Sequence, residues 1–98
     1  MAKFVLIYNG GKPPSNEEEK DRVMAAWGQW FESLGEALVD GGNPLGPPKS
    51  IGGEATEAAS GYSILQAGDQ DAAVELAKGN PMTREDGTRI DVYEAFPM

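Results

Sequence analysis

The sequence contains no cysteine and no histidine, and these two absences exclude several kinds of site. Without cysteine there is no disulfide framework, no thiolate nucleophile and no thiolate metal ligand. Without histidine the chain lacks the usual general base at neutral pH and the commonest ligand of transition metals. We therefore expect no metal centre and no bound cofactor.

Basic residues are also scarce: eight Lys and Arg stand against sixteen Asp and Glu, which gives a formal net charge of −8. Nucleic-acid affinity depends on cations that neutralise phosphates, so nucleic acid and anionic membranes are poor partners. The N-terminus offers only a short apolar run, from Phe4 to Tyr8, which is too short for a signal-peptide core or a membrane span. We expect a cytoplasmic, soluble protein.

The length of 98 residues predicts a single domain that occupies residues 1–98. A chain of this size hides only about 60 to 65% of its unfolded surface when it folds alone. Burial against a partner subunit would therefore add useful stability.

The first strand is predicted over Lys3–Tyr8, "KFVLIY", which is rich in β-branched and aromatic residues and is followed by the turn signal "NGG". Neither face of this strand is polar, because Phe4 and Leu6 alternate with Val5 and Ile7. Both faces must then be covered, and a small monomer has few elements with which to cover them.

A long amphipathic helix follows. "SNEE" matches a capping box in which Ser15 and Glu18 satisfy each other's backbone amides. The acidic first turn is typical of a solvated helix start and is favoured over a cation site. Apolar residues then recur at helical spacing: Val23, Trp27, Trp30, Phe31, Leu34 and Leu38.

The segment after this helix, residues 37–53, is rich in glycine and proline. It lacks the G-x-x-x-x-G-K-[ST] pattern of a phosphate-binding loop, so we interpret it as a sharply turned connection. Gly41 and Gly42 are predicted to form the exit from helix to strand. A short edge strand is predicted at Asn43–Leu45, and a hairpin or mobile loop between Ser50 and Ser60.

The second half repeats the strand and helix alternation. A third strand is predicted at Gly61–Ala67, a helix from an N-cap at Asp69 to a C-cap at Gly79, and a closing strand at Thr88–Phe96. The resulting βαββαβ order predicts an α+β protein with a ferredoxin-like plait, in which two helices cover one face of an antiparallel sheet.

The ordered set of "FVLIY", "WxxWFxxLG", "VDGGNPLG", "GYSIL", "DAAVELAKGNP" and "IDVYEAF" resembles the YCII-related domain family of dimeric α/β barrel proteins over nearly the whole chain. The resemblance implies a homodimer joined through the open sheet faces, with a ligand-sized cleft in each protomer. For part of the wider family it also implies a His that acts beside an Asp. This chain has no His, so neither Asp40 nor Asp71 takes that role by analogy.

A carboxylate held in an apolar cleft can act alone as a general base, and Asp40 and Glu94 are the candidates for such a catalytic role. Strand alternation places Glu94 on the same face as Ile90 and Val92. In the alternative interpretation the strand end twists outward and leaves Glu94 in water, because buried unpaired carboxylates are rare.

The candidate ligand-binding residues are aromatic or amide side chains. Trp27 and Trp30 would line a pocket or fill the core, and Tyr8 and Tyr62 would face a dimer cavity or pack across strands. Asn43 would hold its turn or contact a ligand. Two functions remain open: a small-molecule enzyme or binding protein that uses this cleft, and a non-catalytic dimeric interaction module.

Overall fold

A computed structural model describes residues 1–11 and 14–98 of the chain. Its strands and helices follow in the predicted order: β1 Ala2–Asn9, α1 Glu17–Leu34, β2 Leu38–Asp40, β3 Ala59–Ala67, α2 Gln70–Ala77 and β4 Arg89–Ala95. Two short 3₁₀ turns, at Gly35–Ala37 and Pro81–Arg84, follow the helices. The βαββαβ order of the ferredoxin-like plait is confirmed.

The four strands form one antiparallel sheet in the order β2-β3-β1-β4, so that the two longest strands lie in the centre. Both helices pack on one face of this sheet. The core is built from β1 and β3 on one side and the helices on the other, with Phe4, Leu6, Leu65, Trp30, Leu34, Ala73 and Ala77 buried. In the part of the chain that the structure describes, no helix is long and apolar enough to cross a membrane.

The other face of the sheet carries apolar side chains that no element of the described residues covers. Val5 and Ile7 are only half-buried, in contrast to Phe4 and Leu6 of the same strand. The strand register places Ile64 opposite Val5 on one side and Tyr93 opposite it on the other, and Tyr93 is 58% exposed. We name these four residues, Val5, Ile7, Ile64 and Tyr93, the open-face patch.

The first helix is capped one residue later than predicted. Asn16 is the N-cap, and its side chain accepts a hydrogen bond from the Glu19 amide at 2.8 Å. The Ser15 hydroxyl donates to the Glu19 carboxylate rather than forming the predicted box with Glu18. Asparagine and serine are both strong N-caps, so the adjacent "SN" pair allows either register and the local pattern alone does not decide between them.

The predicted edge strand at Asn43–Leu45 was wrong in position. The helix ends at Leu34 with its C-cap at Gly35, whose φ is +54°, and the strand begins at Leu38 directly after the 3₁₀ turn. Gly42, with φ of +74°, then interrupts the regular ladder between β2 and β3. The predicted residues still meet β3 at an isolated bridge between Pro44 and Gly61, where the Leu45 amide donates to the Ser60 carbonyl at 3.0 Å and the Tyr62 amide donates to the Asn43 carbonyl at 3.4 Å.

The second half agrees more closely with the prediction. Asp69 is the N-cap of α2 and accepts from the Ala72 amide at 2.8 Å, whereas the C-cap is Lys78 and not Gly79. The third strand begins two residues before Gly61, and the stretch that precedes it is irregular rather than a hairpin. The closing strand ends at Ala95, which leaves Phe96 74% exposed.

The tight turn at Gly42 gives a direct test of this fold. We expect Gly42→Ala to destabilise the protein by at least about 2 kcal/mol, because its φ is positive and a Cβ would fall on the Tyr62 carbonyl oxygen. Gly46→Ala is the matched control, since a Cβ there meets nothing within 4 Å. It should change stability by less than about 0.5 kcal/mol. Urea denaturation gives the free energy of unfolding of both variants. Equal losses of stability would contradict the tight turn at Gly42.

Candidate functional site

A cavity of about 370 Å³ lies between α1 and the turn that follows β2. Aromatic residues form one wall, a glycine-rich turn forms the other, and a few polar groups lie along it. Its lining comprises Tyr8, Trp27, Phe31, Gly41, Gly42, Asn43, Pro44, Ser60, Gly61, Tyr62 and Met82. Four of the five predicted ligand-binding residues, Tyr8, Trp27, Asn43 and Tyr62, therefore meet at one place.

Tyr8 forms the floor of this cavity and is held by a chain of buried hydrogen bonds. Its hydroxyl donates to Ser63 Oγ at 2.7 Å, and the Ser63 hydroxyl donates to the Gly41 carbonyl at 2.8 Å. Asn80 Nδ2 donates to the Tyr8 oxygen at 3.4 Å. The chain joins β1, β3 and the turns after β2 and α2, so it fixes both the tyrosine ring and the opposite wall.

Burial raises the pKa of Tyr8 from 10.0 to about 12, and the hydrogen bonds to Ser63 and Asn80 only partly offset this effect. The side chain is 4% exposed. At neutral pH the phenol is therefore uncharged, and it serves as a hydrogen-bonding group rather than as an anion.

The aromatic wall is a set of rings that stand in different planes. The centroid of the Trp27 ring lies 5.2 Å from that of Tyr8 at 84°, and 5.8 Å from that of Phe31 at 55°. Trp30 lies behind this wall in the core and donates its indole N–H to the Leu76 carbonyl at 3.0 Å. The two tryptophans thus separate: Trp27 borders the cavity and Trp30 supports it.

Glycines create the space between the two walls. A Cβ on Gly41 would lie 3.3 Å from Cζ of Phe31, and a Cβ on Gly61 would lie 3.4 Å from the ring of Tyr8. Gly61 is the cross-strand partner of Tyr8, so the missing side chain leaves room directly above the floor. The sequence analysis missed Gly61, Phe31 and Ser63 as site residues. Only the spacing of Phe31, four residues after Trp27, could have indicated one of them.

Two polar groups at the rim of the cavity form only a long hydrogen bond with each other. Asn43 is exposed and its Nδ2 lies 3.4 Å from the Tyr62 hydroxyl. Ser60 instead donates its hydroxyl to the Tyr8 carbonyl at 3.0 Å, which ties β3 to β1 beside the cavity. The Asn43 amide and the Tyr62 hydroxyl are therefore the groups that a ligand could engage without breaking a strong hydrogen bond.

The two carboxylates considered for catalysis lie outside the lining of the cavity. Asp40 is exposed and its Oδ1 accepts from the Gly42 amide at 2.8 Å, so it stabilises the turn. Glu94 pairs with Phe4 across the strands but is exposed at the end of β4. Within residues 1–11 and 14–98, the structure brings no three carboxylates together that could hold a metal ion.

A model of the YCII-related domain family matches residues 3–97. No curated protein matches the chain. Among solved structures, the chain is similar to the 5-chloro-2-hydroxyhydroquinone dehydrochlorinase TftG from Burkholderia phenoliruptrix AC1100, in a complex with 2,5-dihydroxybenzoquinone. The TM-score is 0.52, the identity is 21%, and the match covers 90% of each chain. At this identity the likeness concerns the fold alone.

The buried phenol predicts a specific loss of stability in alkali. Below about pH 10 both the folded and the unfolded state keep the Tyr8 proton. Between about pH 10 and about 12 the unfolded phenol ionises while the buried one stays protonated, so the free energy of unfolding falls as the pH rises. Tyr8→Phe should flatten this slope, measured by urea denaturation across the window.

The same substitution should cost about 1 to 3 kcal/mol at neutral pH, because it removes the buried hydrogen bond to Ser63 and the acceptor of the buried Asn80 amide. Phe96→Leu is the control, since that ring is 74% exposed beyond the end of β4. It should keep both the neutral stability and the alkaline slope of the parent protein. If the free energy of unfolding fell equally with pH in all three proteins, the interpretation of Tyr8 as a buried phenol would be contradicted.

Proposed function

Because this chain belongs to the YCII-related domain family, we propose that it binds a small molecule in the cavity beside Trp27 and does so as a homodimer. The observation that carries the proposal is the cavity itself, which combines an aromatic wall with a rim of weakly engaged polar groups. The proposal concerns binding and assigns no catalytic role to Asp40 or Glu94.

The dimensions and chemistry of the cavity support a binding function. Ligand sites typically measure about 300 to 1,000 Å³ and combine apolar walls with a few polar groups, and 370 Å³ lies at the small end of this range. The chain of hydrogen bonds from Asn80 through Tyr8 to Gly41 holds the site open before any ligand arrives. Such preorganisation lowers the entropic cost of binding.

Each lining residue has a role in this proposal. Trp27 and Phe31 form the apolar wall, Tyr8 forms the floor, and Asn43 and Tyr62 supply polar contacts at the rim. Trp30 acts from behind as a positioning residue, because its ring centroid lies 5.9 Å from that of Trp27. The similar fold of TftG in a complex with 2,5-dihydroxybenzoquinone supports the use of this architecture for small-ring ligands.

The homodimer would cover the open-face patch. Val5 and Ile7 lie in a central strand, no layer from the described part of the chain covers them, and Tyr93 extends the patch across β4. An uncovered apolar sheet face is typical of an association surface. If the cavity bound nothing, this patch would support the second candidate function, a non-catalytic dimeric interaction module.

Removal of the Trp27 indole from the aromatic wall should weaken ligand binding. In a thermal-shift screen of neutral, cationic and anionic small compounds, we expect at least one class to raise the melting temperature. Trp27→Ala should raise the dissociation constant of that compound by about tenfold or more, because the indole ring forms much of the apolar wall on one side of the cavity.

Gln29→Ala is the control on the same helix, since Gln29 is exposed and does not line the cavity. It should bind as the parent protein does. A screen in which no compound shifts the melting temperature, at concentrations up to several millimolar, would overturn the proposed binding function.

The dimer should depend on the open-face patch. Light scattering after gel filtration should give about twice the 10.4 kDa chain mass for the parent protein. Tyr93→Glu places a charge within the patch and should yield the monomer mass, because burying an unpaired carboxylate is strongly unfavourable. Met24→Glu, a similar change at an exposed apolar residue of α1, should leave the dimer intact. A monomeric parent protein would overturn this assembly.

A further inference from the structure

We infer that the ligand of the cavity beside Trp27 is a small organic cation, of the quaternary or substituted ammonium class. The inference rests on the proposed binding function and specifies the charge of the ligand. Three features of the molecule carry it: the aromatic surfaces around the cavity, the absence of charge in its described lining, and the acidic character of the chain.

The aromatic wall offers electron-rich ring faces from more than one direction. A cation is attracted to a ring when it lies within about 6 Å of the ring centroid, and tryptophan is the strongest partner. The Trp27 centroid lies 5.2 Å from that of Tyr8 and 5.8 Å from that of Phe31. Because all three residues line the cavity, a cation in it lies beside aromatic surface on more than one side.

The charge around the cavity disfavours an anion. Among the residues that the structure describes, no charged side chain lines the cavity, so a carboxylate or phosphate would lose its hydration without gaining a counter-ion. The chain as a whole carries a formal net charge of −8, which repels anions and attracts cations over a longer range. An ammonium ion with alkyl groups is weakly hydrated and loses less on entry than a metal ion does.

Asp40 adds a negative charge close to the glycine wall. Its carboxylate is anchored by the Gly42 amide, and Gly42 is itself part of the lining. Within residues 1–11 and 14–98, Asp40 forms no ion pair with a lysine or an arginine. The carboxylate therefore contributes a net negative potential at the cavity without contacting the ligand.

Three compounds of the same shape separate charge from size. Choline carries a positive charge, 3,3-dimethylbutan-1-ol is its neutral carbon analogue, and 3,3-dimethylbutanoate carries a negative charge. All are small enough for a cavity of about 370 Å³. Titration followed by the NMR signals of the two tryptophan indole groups would give the three dissociation constants at neutral pH and low salt.

We expect choline to bind about tenfold more tightly than the neutral alcohol, and the butanoate to bind most weakly. Trp27→Leu should remove most of the choline preference, whereas Trp27→Phe should retain part of it. Asp40→Asn keeps an acceptor for the Gly42 amide. It should weaken the binding of choline several-fold without changing the affinity for the alcohol. Phe96→Leu, an aromatic change outside the cavity, should change none of these values.

The possible results separate this inference from the proposed function. Equal or tighter binding of the neutral alcohol, or of the butanoate, overturns the cation assignment and leaves small-molecule binding in place. Binding of another small compound at Trp27 when none of the three binds also overturns the assignment alone. Absence of binding by these compounds and by every compound of the wider screen overturns both.

Discussion

The hydrogen-bond chain from Asn80 through Tyr8 and Ser63 to Gly41 is the interaction on which the candidate site depends. It joins two central strands and two turns that are far apart in sequence, and every member is buried except the turn glycine. A buried polar group without a partner is costly, so the chain is stable only when the strand register and both turns are correct. The same geometry that satisfies these groups also holds the cavity open.

The first strand divides the molecule into two surfaces. Its Phe4, Leu6 and Tyr8 side chains point towards the helices and build the core and the cavity floor. Its Val5 and Ile7 side chains remain on the open face. Because a strand alternates its side chains, the core and the cavity floor lie on one side of the sheet and the open face on the other. Tyr62, which pairs with Ile7 across the strands and also lines the cavity, borders both.

The amino-acid composition limits which functional groups can line the cavity. The chain lacks histidine and cysteine, and the two carboxylates considered as general bases lie outside the described lining. The described lining offers aromatic faces, an amide and hydroxyl groups, which suit the recognition of shape and charge. The fold is similar to that of the dehydrochlorinase TftG, but likeness of fold alone does not carry the chemistry of that enzyme to this chain.

The sequence by itself determined the order of elements and the amphipathic faces, because apolar periodicity and caps such as Asp69 act over a few residues. It also predicted four of the residues that meet at the cavity. Only the tertiary structure decided that Trp27 borders the cavity while Trp30 supports it, that β2 precedes its predicted position, and that Gly61 leaves the space above Tyr8. These outcomes depend on contacts between residues distant in sequence, whose energies a local pattern does not contain.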